Sequence, residues 1–339
     1  MKLLITGGAG FVGVRLARTL LANDKGSGSL AGRRIESLVL ADLYPPPPDL
    51  QADPRVSVRT GPLLEQCAAL GREGVDGVFH LASAVSGECE LDFDLGMRSN
   101  LDTTRALLDA LRAANNRPRF VFSSSVAVFG PDPGRPLPDV VADDTLPTPQ
   151  TSYGAQKLMC EQLIADCTRK GFVDGRSARL MTVTVRPGKP NAAASSFFSG
   201  IIREPLAGVE AVCPVDETVS HPVSSPARTV AGLIAVYEAS HDALGGRLAL
   251  NLPALNVTVR EMLAALEAVA GPAARARVRF ERDERIAGIV AHWPKGASAD
   301  RAARLGLTPE ASFADIVRQY IADCRAQPDA ATTLKGLPS

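Results

Sequence analysis

The sequence predicts an α/β fold, a doubly wound parallel sheet with a small C-terminal second domain. Three observations predict it. Short apolar runs alternate with helical patterns through the first half of the chain. Those runs are apolar on both faces, as parallel strands covered by helices must be. The alternation loosens after Arg186, where Pro, Ser and Ala take over, as expected where a βαβα series gives way to a different unit.

Taken in order, Lys2–Thr6 reads as the first buried strand and residues 12–22 as the first amphipathic helix. The Gly- and Ser-rich stretch 24–32 reads as a surface loop. Residues 37–41, 56–59 and 75–82 supply the next strands, each short and rich in Val, Leu, Ile or Phe. A helix at 101–114, a strand at 119–123, a helix at 153–170 and a strand at 181–185 complete the series. Residues 187–231 contain no clear long element. An apolar strand at 248–252 then returns to the sheet, and a helix at 258–270 follows. These elements divide the chain into a sheet domain of residues 1–190, its last strand returning near 246–254, and a cap of 191–231 and 255–326. The polar tail, 327–339, is expected to be disordered.

Composition narrows the partners. The 37 acidic and 37 basic side chains cancel, so no electrostatic attraction to nucleic acid or to a charged membrane is expected. The six cysteines form no CxxC pair, which argues against zinc and against a disulfide framework and for reduced thiols in the cytoplasm. The N-terminus lacks the apolar stretch of a signal peptide, and no apolar run is long enough to span a bilayer. No metal site is implied.

The first strand runs into Thr6-Gly7-Gly8-Ala9-Gly10-Phe11-Val12-Gly13. Gly7, Gly10 and Gly13 permit a tight turn, close backbone approach to a pyrophosphate, and close packing of helix on strand. The N-terminus of the following helix adds partial positive charge there, next to Phe11 and Val12. An ordinary glycine turn is the alternative, and the strand before and helix after it favour a dinucleotide site of the Rossmann type. Asp42 ends the second strand, farther from the glycines than the usual spacing of about 20 residues; the 24–32 stretch accounts for the difference. A carboxylate there accepts hydrogen bonds from the ribose hydroxyls and repels a 2′-phosphate, which predicts NAD rather than NADP. A capping aspartate is the competing reading.

Tyr153 and Lys157 stand four residues apart at the start of a helix, so phenol and ammonium share a face. A free phenol, with a pKa of about 10, is a poor base at neutral pH, and a neighbouring ammonium favours its ionised form. Ser123, Ser124 and Ser125 end a parallel strand, at the edge where open α/β sheets bind ligands, and one of them can hold the reacting oxygen against Tyr153. His80 reads as a packed strand residue rather than a catalyst.

Together these features resemble the extended short-chain dehydrogenases/reductases, the NAD-dependent epimerase/dehydratase family. The matching residues are 6–13, His80-Leu81-Ala82-Ser83, Ser123–Ser125 with Val126 to Gly130, and Tyr153 to Lys157, in the family's order over the first two thirds of the chain. The resemblance implies a substrate-positioning Ser125, a base at Tyr153, and a Lys157 that holds the nicotinamide ribose and tunes the phenol. It further implies that Leu81, Ala82, Ser83, Asn100, Ser123 and Pro187 line the cofactor. Two departures stand out. Gly61-Pro62-Leu63 replaces the Gly-Asp that reads adenine in many relatives. Residues 219–226 lack the Arg with which nucleotide-sugar epimerases bind a diphosphate.

Residues 185–196, with Ser86-Gly87-Glu88 and 202–206, look like the D-erythronate-oxidising group of that family. The group converts the C2 hydroxyl of a four-carbon sugar acid to a ketone. A small acid needs a cation for its carboxylate and neutral groups for its hydroxyls. Lys189 and Arg203 are the expected cations, with Ser86, Asn191, Ser195 and Ser196 as polar partners, while Arg186 is a candidate for a structural ion pair. The resemblance also implies a homodimer through the helices at 101–114 and 153–170. A nucleotide-sugar epimerase that keeps its NAD and a non-catalytic NAD-sensing protein are the rival readings.

Overall fold

The computed structural model describes residues 1–22, 28–188 and 193–337. The first half follows the alternation: β1 (Lys2–Thr6), α1 (Phe11–Ala22), β2 (Ser37–Asp42), β3 (Val56–Thr60), α2 (Leu63–Arg72) and β4 (Gly77–His80). Then come α3 (Thr103–Ala114), β5 (Arg119–Ser125), α4 (Ser152–Arg169) and β6 (Asp174–Leu180). The second half contains β7 (Thr182–Val183), α5 (Ser196–Leu206), β8 (Ser220–Ser224), α6 (Pro226–Glu238), β9 (Leu250–Asn251), β10 (Leu255–Thr258), α7 (Val259–Ala270) and α8 (Phe313–Arg325).

Seven strands form one parallel sheet in the order β9-β6-β5-β4-β1-β2-β3. Period-two alternation explains why both faces are covered. Leu3, Ile5, Leu38, Leu40, Phe79 and Val121 point into a core shared with α1 and α6. Their neighbours Leu4, Val39, Val78, Phe120 and Phe122 point into a second core, shared with α2, α3 and α4. The chain is therefore doubly wound, and its strand ends converge on one crevice.

Four expectations are corrected. The strand expected at 181–185 is not in the central sheet; β6 is, and it escaped an apolar search because it carries Arg176, Ser177 and Arg179. Both arginines are buried by pairing, Arg176 with Asp174 and Arg179 with Glu161. Residues 182–183 instead join a small sheet, β7-β8-β10. Residues 187–231, expected to lack long elements, contain α5 and α6, and α6 packs on the central sheet beside α1 rather than in a cap. Part of the expected surface loop is a hairpin, Ser29–Leu30 pairing with Arg33–Arg34. The expected disordered tail includes a turn of helix, Ala330–Thr333, and Leu334 and Leu337 pack against a third core.

That third core joins Phe198, Ile201 and Ile202 of α5, Met262, Leu263 and Leu266 of α7, and Ile316, Val317 and Tyr320 of α8. It lies after the sheet series in the chain and includes Val185, Phe197 and Phe198. Among the described residues, no helix is long and apolar enough to cross a membrane.

Candidate active site

The glycine turn follows directly from β1. Gly7 adopts φ +72°, a left-handed conformation natural for glycine, and its N–H donates to the Ala41 carbonyl at 2.8 Å. A Cβ on Gly7 would lie 2.8 Å from the Ala82 nitrogen, and one on Gly13 would collide with the Gly7 carbonyl. The missing side chains thus leave a backbone cradle at the start of α1, where first-turn N–H groups have no acceptor inside the helix. The cradle fits the pyrophosphate of a dinucleotide. Phe11 and Val12 stand in that first turn, half-buried. Asp42, also half-buried, accepts the Ala9 N–H at 2.9 Å through Oδ2, so its carboxylate holds the turn from the end of β2.

Behind the cradle lies a buried polar chain. His80 Nδ1 pairs with Thr6 Oγ1 at 2.6 Å and Nε2 with Thr104 Oγ1 at 2.9 Å. Burial, reinforced by the Lys157 charge, pushes the His80 pKa down to about 3. The ring is therefore neutral and structural. Thr6 Oγ1 in turn accepts the Ala82 N–H at 3.3 Å, which positions Leu81 and Ala82 over the glycines. Asn100 is buried; its Oδ1 accepts from Ser83 Oγ at 2.9 Å and from the Ala84 N–H at 2.8 Å, while Nδ2 donates to Gln156 Oε1 at 2.8 Å. Its amide ties the loop after β4 to α4.

The N-terminus of α4 is held by three contacts. Thr151 Oγ1 accepts the Gly154 N–H at 3.0 Å, a standard N-cap. Glu90 Oε1 accepts the Ser152 N–H at 2.6 Å. Gly154 packs so closely on the Ala127 carbonyl that a Cβ would collide with it. This approach brings Tyr153 to the end of β5. One turn on, the buried Lys157 donates to the Ser123 carbonyl at 2.8 Å, with its ammonium 5.5 Å from the Tyr153 ring centre and 4.7 Å from that of Phe122.

The three serines separate cleanly. Ser123 Oγ donates to the His80 carbonyl at 3.1 Å, and Ser124 Oγ to Glu161 at 2.5 Å; both are buried. Ser125 is half-buried and accepts the Ala127 N–H at 3.1 Å, so its own O–H remains a donor toward the crevice. Of the three serines, Ser125 alone is, like Tyr153, only half-buried. Glu161 escaped the sequence reading, although its spacing of four from Lys157 places it on the same helix face; it pairs with Arg179 at 2.9 Å in a buried ion pair.

Residues expected on the substrate side divide differently. Ser86 is half-buried and opens the helix Ser86–Leu91. Lys189 and Asn191 lie outside the described residues, and Pro187 is exposed on the approach to them. Arg203 does not offer a free cation: it is buried, donates to the Arg186 carbonyl at 2.9 Å, and pairs with Glu204 at 2.6 Å. Arg186, expected in an ion pair, is held among the described residues by neutral acceptors. Its Nε donates to the Val183 carbonyl at 3.1 Å and its Nη2 to Ser195 Oγ at 3.2 Å. The guanidinium carbon lies 5.9 Å from the Phe11 ring centre, beside the glycine turn. Residues 219–226 supply no guanidinium; His221 is buried there, stacked on Phe198 at 5.1 Å and bonded to Thr182 and the Pro294 carbonyl.

Comparison with known proteins agrees with this geometry. The model of the NAD dependent epimerase/dehydratase family matches residues 3–219. The chain is 49% identical to a D-erythronate dehydrogenase of Cupriavidus necator over 95% of this chain and 98% of that protein. It is 44% identical to one from Haemophilus influenzae, over 95% and 99% respectively. Among solved structures, a nucleoside-diphosphate-sugar epimerase from Agrobacterium tumefaciens superimposes with a TM-score of 0.88 at 44% identity, covering 95% of this chain and 94% of that one.

Proposed function

Because the chain belongs to the NAD dependent epimerase/dehydratase family, we propose that it oxidises the C2 hydroxyl of D-erythronate, or a closely similar four-carbon sugar acid, to the 2-keto acid. It is an NAD-dependent oxidoreductase. The observation that carries the substrate is near-full-length identity to two D-erythronate dehydrogenases.

NAD, when bound, supplies the acceptor for the hydride leaving C2. The chain's own groups do the rest. The backbone cradle at Gly7, Gly10 and Gly13 takes the pyrophosphate, and Asp42 faces the adenosine ribose. Leu81, Ala82 and Ser83 line the same crevice, held there by Thr6 and Asn100. Ser125 Oγ–H donates to the substrate hydroxyl oxygen and holds it at Tyr153. The Tyr153 oxygen takes the hydroxyl proton as base. Lys157 places positive charge beside the oxygen that must carry negative charge in that role, and the Ser123 carbonyl keeps the ammonium in position. Ser86 and Ser195 border the substrate side. A homodimer through α3 and α4 belongs to this reading, supported by the exposed Met159 on α4 and by Leu91 and Phe93 nearby. So does a cytoplasmic location, supported by six unpaired thiols.

The second reading, a nucleotide-sugar epimerase, draws on the Agrobacterium structure. Residues 219–226, which stand in place of the segment where those enzymes carry an arginine for the diphosphate, hold no arginine, and this speaks against it. The test is NADH absorbance with NAD and a panel of four- to six-carbon sugar acids. Accumulation with D-erythronate is the expected result. No net reduction, with NAD released on denaturation, would overturn it in favour of the epimerase.

A further inference from the structure

A cation partly withdrawn from water is poorly compensated until an anion arrives from outside, and Arg186, half-buried and without a carboxylate partner among the described residues, is such a cation. Burial lowers its pKa, and the ionisable groups acting on it are Tyr153 and Arg203. Arg203 is already neutralised by Glu204. Among the described residues, no carboxylate lies within ion-pair distance of Arg186, and its Nη1 has no acceptor. The guanidinium is nevertheless fixed: the Val183 carbonyl and Ser195 Oγ hold the fork, Ser199 Oγ accepts the Arg186 N–H at 3.0 Å, and Arg203 grips its carbonyl. A side chain so braced is pre-organised for a planar anion, which guanidinium binds through two parallel N–H donors.

Chemistry names that anion. In a 2-hydroxy acid the carboxylate is bonded directly to the carbon being oxidised. A cation that serves it must therefore stand near the cofactor turn and the base, and the Arg186 guanidinium lies beside the glycine turn, its carbon 5.9 Å from the Phe11 ring centre. We propose that Arg186, rather than Lys189 or Arg203, binds the C1 carboxylate of the substrate and makes the site specific for 2-hydroxy acids. The proposal rests on the sugar-acid reading above. It assigns Ser195 to Arg186 as a positioning residue. It also explains why Arg203, although basic, faces Glu204.

The test uses the protein with NADH for binding and NAD for turnover, in Arg186→Gln and Arg186→Lys variants whose folding is checked by thermal melting. Two ligands are compared by calorimetry and by turnover: D-erythronate and its neutral amide. The wild type should prefer the acid by roughly 100-fold, as expected for a charge-assisted pair. Arg186→Gln should lose that preference, and Arg186→Lys should keep part of it. An unchanged acid-to-amide ratio in Arg186→Gln overturns the proposal. So does a loss of NADH binding that parallels the loss of acid binding, because the guanidinium would then serve the cofactor pyrophosphate. If the wild type oxidises neither ligand yet binds the acid through Arg186, the substrate reading fails and the carboxylate site stands.

Discussion

The ammonium of Lys157 is anchored on the Ser123 carbonyl at 2.8 Å, so the charge beside Tyr153 is fixed by the C-terminal part of β5 rather than by a carboxylate. The anchor couples β5 to α4 at the point where Ser125 and Tyr153 meet the crevice. A cation held by a neutral carbonyl keeps its full field for the phenol and for the cofactor ribose. Tyr153→Phe should therefore abolish turnover while NADH still binds, as read by fluorescence titration. Lys157→Met should lower kcat by 100-fold or more and also weaken NADH binding, as the two duties proposed for this side chain require. Retained turnover in Tyr153→Phe would show that another group is the base.

Glu161 lies one turn beyond Lys157 and is almost fully buried with Arg179. It accepts from Ser124 as well as from Arg179 Nε and Nη2. Removing one partner of a buried pair strands the other charge, at a cost of about 3–5 kcal/mol. Glu161→Gln should show that loss in urea denaturation, and the loss should exceed that of Ser124→Ala, which removes a single hydrogen bond worth about 1 kcal/mol. Equal losses would mean that the pair contributes no more than an ordinary hydrogen bond.

Two histidines make stability depend on acid. Burial pushes the pKa of His80 down to about 3 and that of His221 to about 4, from an ordinary value of 6.5. In the folded protein both rings stay neutral well below 6.5, whereas in the unfolded chain both take up protons there. The unfolded state thus binds more protons in that window, and stability falls as pH is lowered from about 6.5 toward 4. Each ring contributes at most about 1.4 kcal/mol per pH unit. Melting temperature against pH should show this slope, and His221→Gln should flatten it by about half between pH 4 and 6. An unaltered slope would assign the acid sensitivity to carboxylates instead.

Four of the first five strands were legible in the sequence because each carries apolar residues on both faces, and β3 because Val56 and Val58 alternate with Ser57 and Arg59. The sixth was not. Arg179 is met by Glu161 of α4, and Arg176 by the carbonyls of Val236, Tyr237 and Ala239 as well as by Asp174; partners from distant elements are a tertiary fact that local patterning does not carry. The site divides along the same line. The four-residue spacing of Tyr153 and Lys157 and the serines at a strand end were visible as periodicity and position. Which serine turns outward was not, since it depends on His80 and Glu161 capturing the other two. The cations after β6 were visible as residues but not as roles: Arg203 finds its anion in the adjacent Glu204, and Arg186, among the described residues, finds neutral acceptors.

Asp42 combines the two roles that the sequence left open, and substitution separates them. Its Oδ2 accepts the Ala9 N–H at 2.9 Å, so it braces the glycine turn from outside. Its charge at the end of β2 would also accept ribose hydroxyls and repel a 2′-phosphate. Asp42→Asn keeps an acceptor for Ala9 and removes the charge; Asp42→Ala removes both. If charge governs selectivity, both variants should lower the ratio of kcat/KM for NAD over NADP by about 10- to 100-fold, the span of a lost charge-assisted bond. If bracing is the main duty, Asp42→Asn should resemble the wild type, and Asp42→Ala should weaken NADH and NADPH alike. Fluorescence titration of both reduced cofactors against both variants separates these outcomes, and the first is the one expected.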